Sequence, residues 1–97
     1  MGKSGRPIIT LTTDFGEGHY VGAMKGVILD VCPDASIIDI THNVPSHDIM
    51  EGAFNVLCAY PYFPVGSVHV AVVDPGVGSD RRGIVVATEK YSFVGPD

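Results

Sequence analysis

The sequence has no tryptophan, two cysteines, and only six lysines and arginines among its 97 residues. Eleven acidic residues outnumber the basic ones and leave a formal net charge of −5. That balance counts against non-specific binding to nucleic-acid phosphates, which draws its affinity from lysine and arginine. A neutral or cationic small ligand suits it better. Charged residues make up 18% of the chain, below the roughly 25% of an average globular protein. Apolar residues reach 45%, which excludes a disordered chain. No stretch approaches the ~20 consecutive apolar residues of a membrane-spanning helix. The first residues carry Lys3 and Arg6 but no apolar run like a signal peptide's. Cys32 and Cys58 lack Cys-x-x-Cys spacing and read as buried, reduced thiols of a cytoplasmic protein.

What the sequence does hold is an alternation of short apolar runs and amphipathic stretches. Pro7 to Thr12 is β-branched and reads as a buried strand. Tyr20 to Val31 has Tyr20, Met24, Val27, Ile28 and Val31 at helical spacing. Gly22 and Gly26 share one face of that helix, an arrangement that points to close approach of a sheet or ligand. Pro33 ends it, because a proline disfavours helical geometry in the residue before it. Ser36 to Ile40 is a second strand. A second helix follows, with Ser46 as the expected N-cap and a stripe of Ile49, Ala53, Val56, Leu57 and Tyr60. Ser67 to Val73 is a third strand. Ile84 to Ala87 and Tyr91 to Val94 are two more, with Glu89-Lys90 as the turn between them.

Strand, helix, strand, helix, strand predicts right-handed βαβ units and a mainly parallel sheet with helices on both faces, a three-layer α/β/α fold. In such sheets ligands bind outside the carboxyl ends of the strands. Three loops meet that criterion: Thr12 to Gly16, Thr41 to Asn43, and Asp74 to Gly78. Asp14 can accept hydrogen bonds from two vicinal hydroxyls, as a ribose offers, or can bond local backbone N–H groups. Gly16, Gly18 and Gly22 nearly make a dinucleotide fingerprint, but Asp14 and Glu17 put negative charge where a pyrophosphate would lie. Asp74 sits among turn residues, with Gly76 and Gly78 permitting close backbone approach. Arg81 and Arg82 follow; an Asp beside a guanidinium can orient a small polar molecule or stitch the loop together. His19, His42, His47 and His69 show no recognised metal-binding spacing. His69, inside a strand, reads as a satisfied structural histidine. Tyr60, Tyr62 and Phe63 suit base stacking, core packing or a subunit contact.

Several of these segments occur together in a familiar order. They are Thr12-Thr13-Asp14-Phe15-Gly16, Tyr20 to Gly26, Asp39-Ile40-Thr41-His42, Glu51-Gly52-Ala53, and Val70 to Gly78 with Arg81-Arg82. From Ile8 to Asp97 the chain resembles the S-adenosylmethionine hydroxide adenosyltransferases, relatives of the fluorinase and chlorinase enzymes. The resemblance implies attack of water or hydroxide on C5′ of S-adenosylmethionine, release of methionine and formation of adenosine, with no cofactor and no metal. It implies that Asp74 and Arg81 hold the attacking water, with a histidine from beyond residue 97. It assigns Asp14 to the two ribose hydroxyls, with Phe15 and Gly76 also at the ligand. His47 falls where the halogenating relatives carry a tryptophan beside the ligand. Those relatives carry tyrosine in place of Asp74; a carboxylate there repels halide and can orient water.

The resemblance also implies that residues 1–97 are part of an N-terminal α/β domain. In the family a C-terminal β-barrel follows and homotrimers form, with ligand between one subunit's α/β domain and the next subunit's barrel. The end of the chain, a strand-like run followed by Gly95-Pro96-Asp97, fits a fragment of a longer protein, expected to be inactive alone. Two other readings compete. One is a non-catalytic nucleoside-binding or S-adenosylmethionine-binding module that uses the Asp14 loop. The other is a metal-dependent hydrolase using His42, Asp74 and others.

Overall fold

The computed structural model describes residues 6–73 and 83–96. Five strands form one sheet: β1 (Ile8–Thr13), β2 (Ser36–Thr41), β3 (Val68–Val72), β4 (Gly83–Ala87) and β5 (Ser92–Pro96). The helices are α1 (His19–Val31) and α2 (Ile49–Ala59), the latter running into a 3-10 turn at Tyr60–Tyr62. Strand order is β2-β1-β3-β5-β4, parallel except for the β4–β5 hairpin. The expected α/β class and mainly parallel sheet are therefore present.

The two helices lie on opposite faces, as side-chain parity shows. Asp39 registers with Leu11, and its carboxylate meets Lys25 of α1. Ala71 registers with Thr12, and Val73, two residues on, packs against Gly52 of α2. Leu11 and Thr12 are successive residues of one strand and point to opposite faces. The chain leaves β1 toward β2, then returns across β1 to β3. Right-handed crossovers in opposite directions place their helices on opposite sides.

Each helix buries only part of its expected stripe, Met24 and Ile28 in α1 and Val56 in α2. In α1 the half-buried residues are Val21, Met24, Lys25 and Ile28, while Tyr20, Val27 and Val31 are exposed. Lys25 joins the half-buried face, its ammonium ending on Asp39 of β2. In α2 the buried residues are Gly52 and Val56, while Ile49 and Leu57 are exposed. A Cβ at residue 52 would lie 2.9 Å from Val73 Cγ2. The close approach expected at Gly22 and Gly26 therefore occurs at Gly52 instead; among the described residues a Cβ at either α1 glycine meets nothing. The N-cap of α2 is Asp48, not Ser46: its Oδ1 accepts the Glu51 N–H at 3.0 Å. Cys32 is half-buried and Cys58 exposed, both as free thiols, so neither is the buried residue its type suggests.

Central β1 is polar as well as buried. Leu11 is fully buried, and such a side chain contributes about 1.5–3 kcal/mol. Thr10, Thr12 and Thr13 are fully buried too. Thr10 Oγ1 lies 2.7 Å from Nδ1 of His69, its register partner on β3. Around His69 stand the rings of Tyr60, Phe63, Tyr91 and Phe93. Its Nε2 has no hydrogen-bond partner among the described residues, so the histidine is only half satisfied. Burial pushes its pKa below the ordinary value of 6.5. The unfolded chain then takes up a proton as pH falls past about 6.5 before the native state does. Stability contributed by neutral His69 is complete above that pH and declines below it, by at most about 1.4 kcal/mol per pH unit. Urea unfolding between pH 7.5 and 5.5 should show a steeper loss for the native sequence than for His69→Gln; equal slopes would refute the assignment.

β4 lies at the edge of the sheet with all its residues exposed. No helix among the described residues is long and apolar enough to cross a membrane.

Candidate functional site

The strand order reverses direction between β1 and β3, so the crevice at their carboxyl ends is the topological switch point of the sheet. The segment after β1 carries Asp14 and Phe15, both half-buried. Asp14 Oδ2 accepts the His47 N–H at 2.8 Å, a contact across 33 positions of sequence. His47 itself is exposed, with φ 63, a left-handed conformation uncommon outside glycine. Asp14, Phe15 and His47 are therefore gathered where the loops after β1 and β2 meet. The backbone N–H ligand weighed for Asp14 is real, but it is distant in sequence rather than local. Among the described residues Oδ1 of Asp14 accepts no hydrogen bond.

Beneath Asp14 runs a chain of side-chain hydrogen bonds. Lys25 Nζ donates to Asp39 Oδ2 at 2.8 Å. Asp39 Oδ1 lies 2.8 Å from His42 Nε2. His42 Nδ1 lies 2.8 Å from Thr13 Oγ1, which accepts the Phe15 N–H at 3.2 Å. The bond from Lys25 is the main reason that the Asp39 carboxyl titrates below its ordinary value; partial burial pushes the other way, and His42 adds to the lowering. The backbone repeats the link, since Gly16 N–H donates to His42 O at 2.7 Å and Val44 N–H to Thr13 O at 3.3 Å.

Sequence reasoning placed Asp39 and His42 in a motif but missed their contact. Residues three apart on a regular strand face opposite sides. Here Leu11 pairs with Asp39 and Thr12 with Thr41, so Ile40 is an extra residue, and this irregularity brings His42 back to the side of Asp39. Asp74, Gly76 and Arg81, with Arg82, lie outside the described residues. The last described residue before them, Val73, is buried at the end of β3 against Gly52. Tyr60 and Phe63 pack on His69, whereas Tyr62 is exposed. Among the described residues no three His, Cys, Asp or Glu side chains converge as metal ligands do.

Residues 9–97 match the family model for the SAM hydroxide adenosyltransferase N-terminal domain. The chain belongs to this family. It is 56% identical over 96 residues to a protein of Methanocaldococcus jannaschii named (R)-S-adenosyl-L-methionine hydrolase; the match covers 93% of this chain and 36% of the relative. A fluorinase of Nocardia brasiliensis is 35% identical over 82 residues, covering 84% of this chain and 27% of the enzyme. The fold is similar to the crystal structure of a conserved hypothetical protein from Thermus thermophilus, with a TM-score of 0.79 and 39% identity over 94% of this chain and 38% of that one. The chain thus spans about a third of the length of the curated hydrolase relatives it matches. Within the adenosyltransferase family its described residues supply the carboxyl-edge loops after β1 and β2.

Proposed function

We propose that the protein carrying this chain is an S-adenosyl-L-methionine hydrolase that forms adenosine. Water attacks C5′ and a new C–O bond forms. The C5′–S bond breaks with its electron pair going to sulfur, and methionine leaves as a neutral thioether. The attacking water gives up one proton to solvent. A sulfonium is already a good leaving group, so the work left to the protein is to position and orient the nucleophile.

The observation that carries this reading is the Asp14 carboxylate, held by the His47 N–H at the switch point. It is suited to accept both ribose hydroxyls, with Phe15 and His47 beside the nucleoside. Asp74 and Arg81 orient the water, and the Gly76 backbone approaches the ligand. The hydrolase names of the relatives support the activity. A carboxylate at residue 74 favours water over halide, on charge alone. No cofactor takes part, since the leaving group supplies the driving force. We further infer a cytoplasmic homotrimer with a C-terminal β-barrel completing the ligand site between subunits. The exposed Ile84, Val85 and Val86 of β4 are apolar surface that such packing would cover. Residues 1–97 alone are expected to be inactive.

The test is turnover of S-adenosylmethionine by the natural-length protein in water enriched in oxygen-18. Adenosine should carry the heavy oxygen at its 5′ position, and methionine should carry none. Adenosine without the label, or no adenosine at all, would overturn the assignment.

A further inference from the structure

We propose that His42 is a positioning residue for the nucleoside site: it fixes the carboxylate of Asp14, and Asp39 and Lys25 fix His42. The inference rests on the reading of Asp14 as the ribose ligand. Its observations are independent of that reading. His42 meets the β1 loop on both sides of Asp14-Phe15. Its ring reaches Thr13 Oγ1 at 2.8 Å, and its carbonyl accepts the Gly16 N–H at 2.7 Å. The segment between those two contacts holds the carboxylate that also takes the His47 N–H.

The donor and acceptor roles in this chain follow from chemistry. A carboxylate only accepts, so His42 Nε2 carries a proton and donates it to Asp39 Oδ1. In the neutral ring Nδ1 is then an acceptor, and the Thr13 hydroxyl donates to it. The hydroxyl oxygen keeps a lone pair for the Phe15 N–H. Whichever way the bond between Nδ1 and the hydroxyl runs, Thr13 Oγ1 retains a lone pair for the Phe15 N–H, and the links from Lys25 to Phe15 stay made. Thr13 is fully buried and the His42 side chain is 14% exposed, so water has little access to replace the bond between them. An aliphatic residue at 42 would fill the space but leave the Thr13 hydroxyl and Asp39 unlinked. The loop would then hold Asp14 through backbone contacts alone. The structure thus gives the imidazole a directional task that filling space does not explain.

A residue that acts through Asp14 must change how the protein reads ribose hydroxyls, not just how well it folds. The probes are adenosine and 2′,3′-dideoxyadenosine, titrated calorimetrically into the natural-length protein. The native sequence should prefer adenosine by ~10²-fold, the scale of two hydrogen bonds to a charged group. Asp14→Ala should abolish the preference. His42→Ala should lower it by ~10-fold, and should change it less than about twofold when Asp14→Ala is already present, because coupled sites are non-additive. If Asp14→Ala loses the preference while His42→Ala keeps it in full, His42 is structural only and this proposal fails. If Asp14→Ala keeps it, the reading of Asp14 fails instead. Should His42→Ala not fold, Asp39→Ala at the half-exposed end of the chain replaces it, with a loss of ~3-fold expected and an undiminished preference refuting the proposal.

Discussion

Asp74→Ala is expected to lower kcat for S-adenosylmethionine hydrolysis by ~10²–10⁴-fold, the range of a positioned acid–base or orienting group, with KM within a few-fold of native. The expectation follows from what the reaction lacks. Sulfonium departure needs no acid, so most of the barrier lies in presenting one water molecule to C5′ along the line of the breaking bond. A carboxylate can accept a hydrogen bond from that water and turn a lone pair toward carbon. In the proposed role it meets the water and not the substrate, so the loss should fall on turnover. Steady-state kinetics with purified variant separates the two quantities. Asp74→Asn should recover part of the rate, because an amide oxygen still accepts a hydrogen bond. Unchanged turnover in Asp74→Ala would remove Asp74 from the catalytic machinery.

The second large effect belongs to the other carboxylate and to the other parameter. Asp14→Ala should raise KM for S-adenosylmethionine by ~10²–10⁴-fold, from the loss of the two proposed ribose hydrogen bonds to a charged acceptor at about 1.5–3 kcal/mol each. Because the ribose hydroxyls do not take part in bond making, these contacts hold ground state and transition state alike, so kcat at saturating substrate should change much less. The substitution also leaves the His47 N–H without its partner in a residue already at φ 63. Part of the loss therefore comes from the loop itself. Saturation kinetics, together with a melting curve to verify folding, checks the prediction. A fall in kcat with KM unchanged would assign Asp14 to the chemistry instead.

The expected strands and helices are all present, displaced by a residue or two at their ends. Their apolar and β-branched character decides that much, and the alternation decides the parallel pairing. The place of Asp14 was legible too, because residues at strand ends in an α/β sheet converge on one edge, whereas His47 was expected from the family resemblance alone; the structure brings the two into contact. What was not legible depends on tertiary geometry. Of the expected α1 stripe, Met24 and Ile28 are half-buried but Tyr20, Val27 and Val31 are exposed, and the half-buried face also takes in Lys25, whose ammonium finds Asp39. Gly22 and Gly26 looked like contact points, yet the tight contact is at Gly52. Composition cannot say which glycine lies opposite a valine. The threonines of β1 looked like ordinary β-formers. Their hydroxyls are instead anchors for histidines on both neighbouring strands, Thr10 for His69 and Thr13 for His42. The second of those contacts needs the extra residue in β2, which no local pattern announces.

The approach of Gly52 to Val73 acts as a spacer of zero thickness between two parts of the crevice. The first turn of α2 grows out of the segment that includes His47 and ends on the residue immediately before Asp74 in sequence. Any side chain at residue 52 would work as a shim, pushing Val73 and the first turn of α2 apart by a fraction of a bond length. If the proposed site forms there, its width is set from a residue assigned no part in binding or turnover, by the gap instead of its lining.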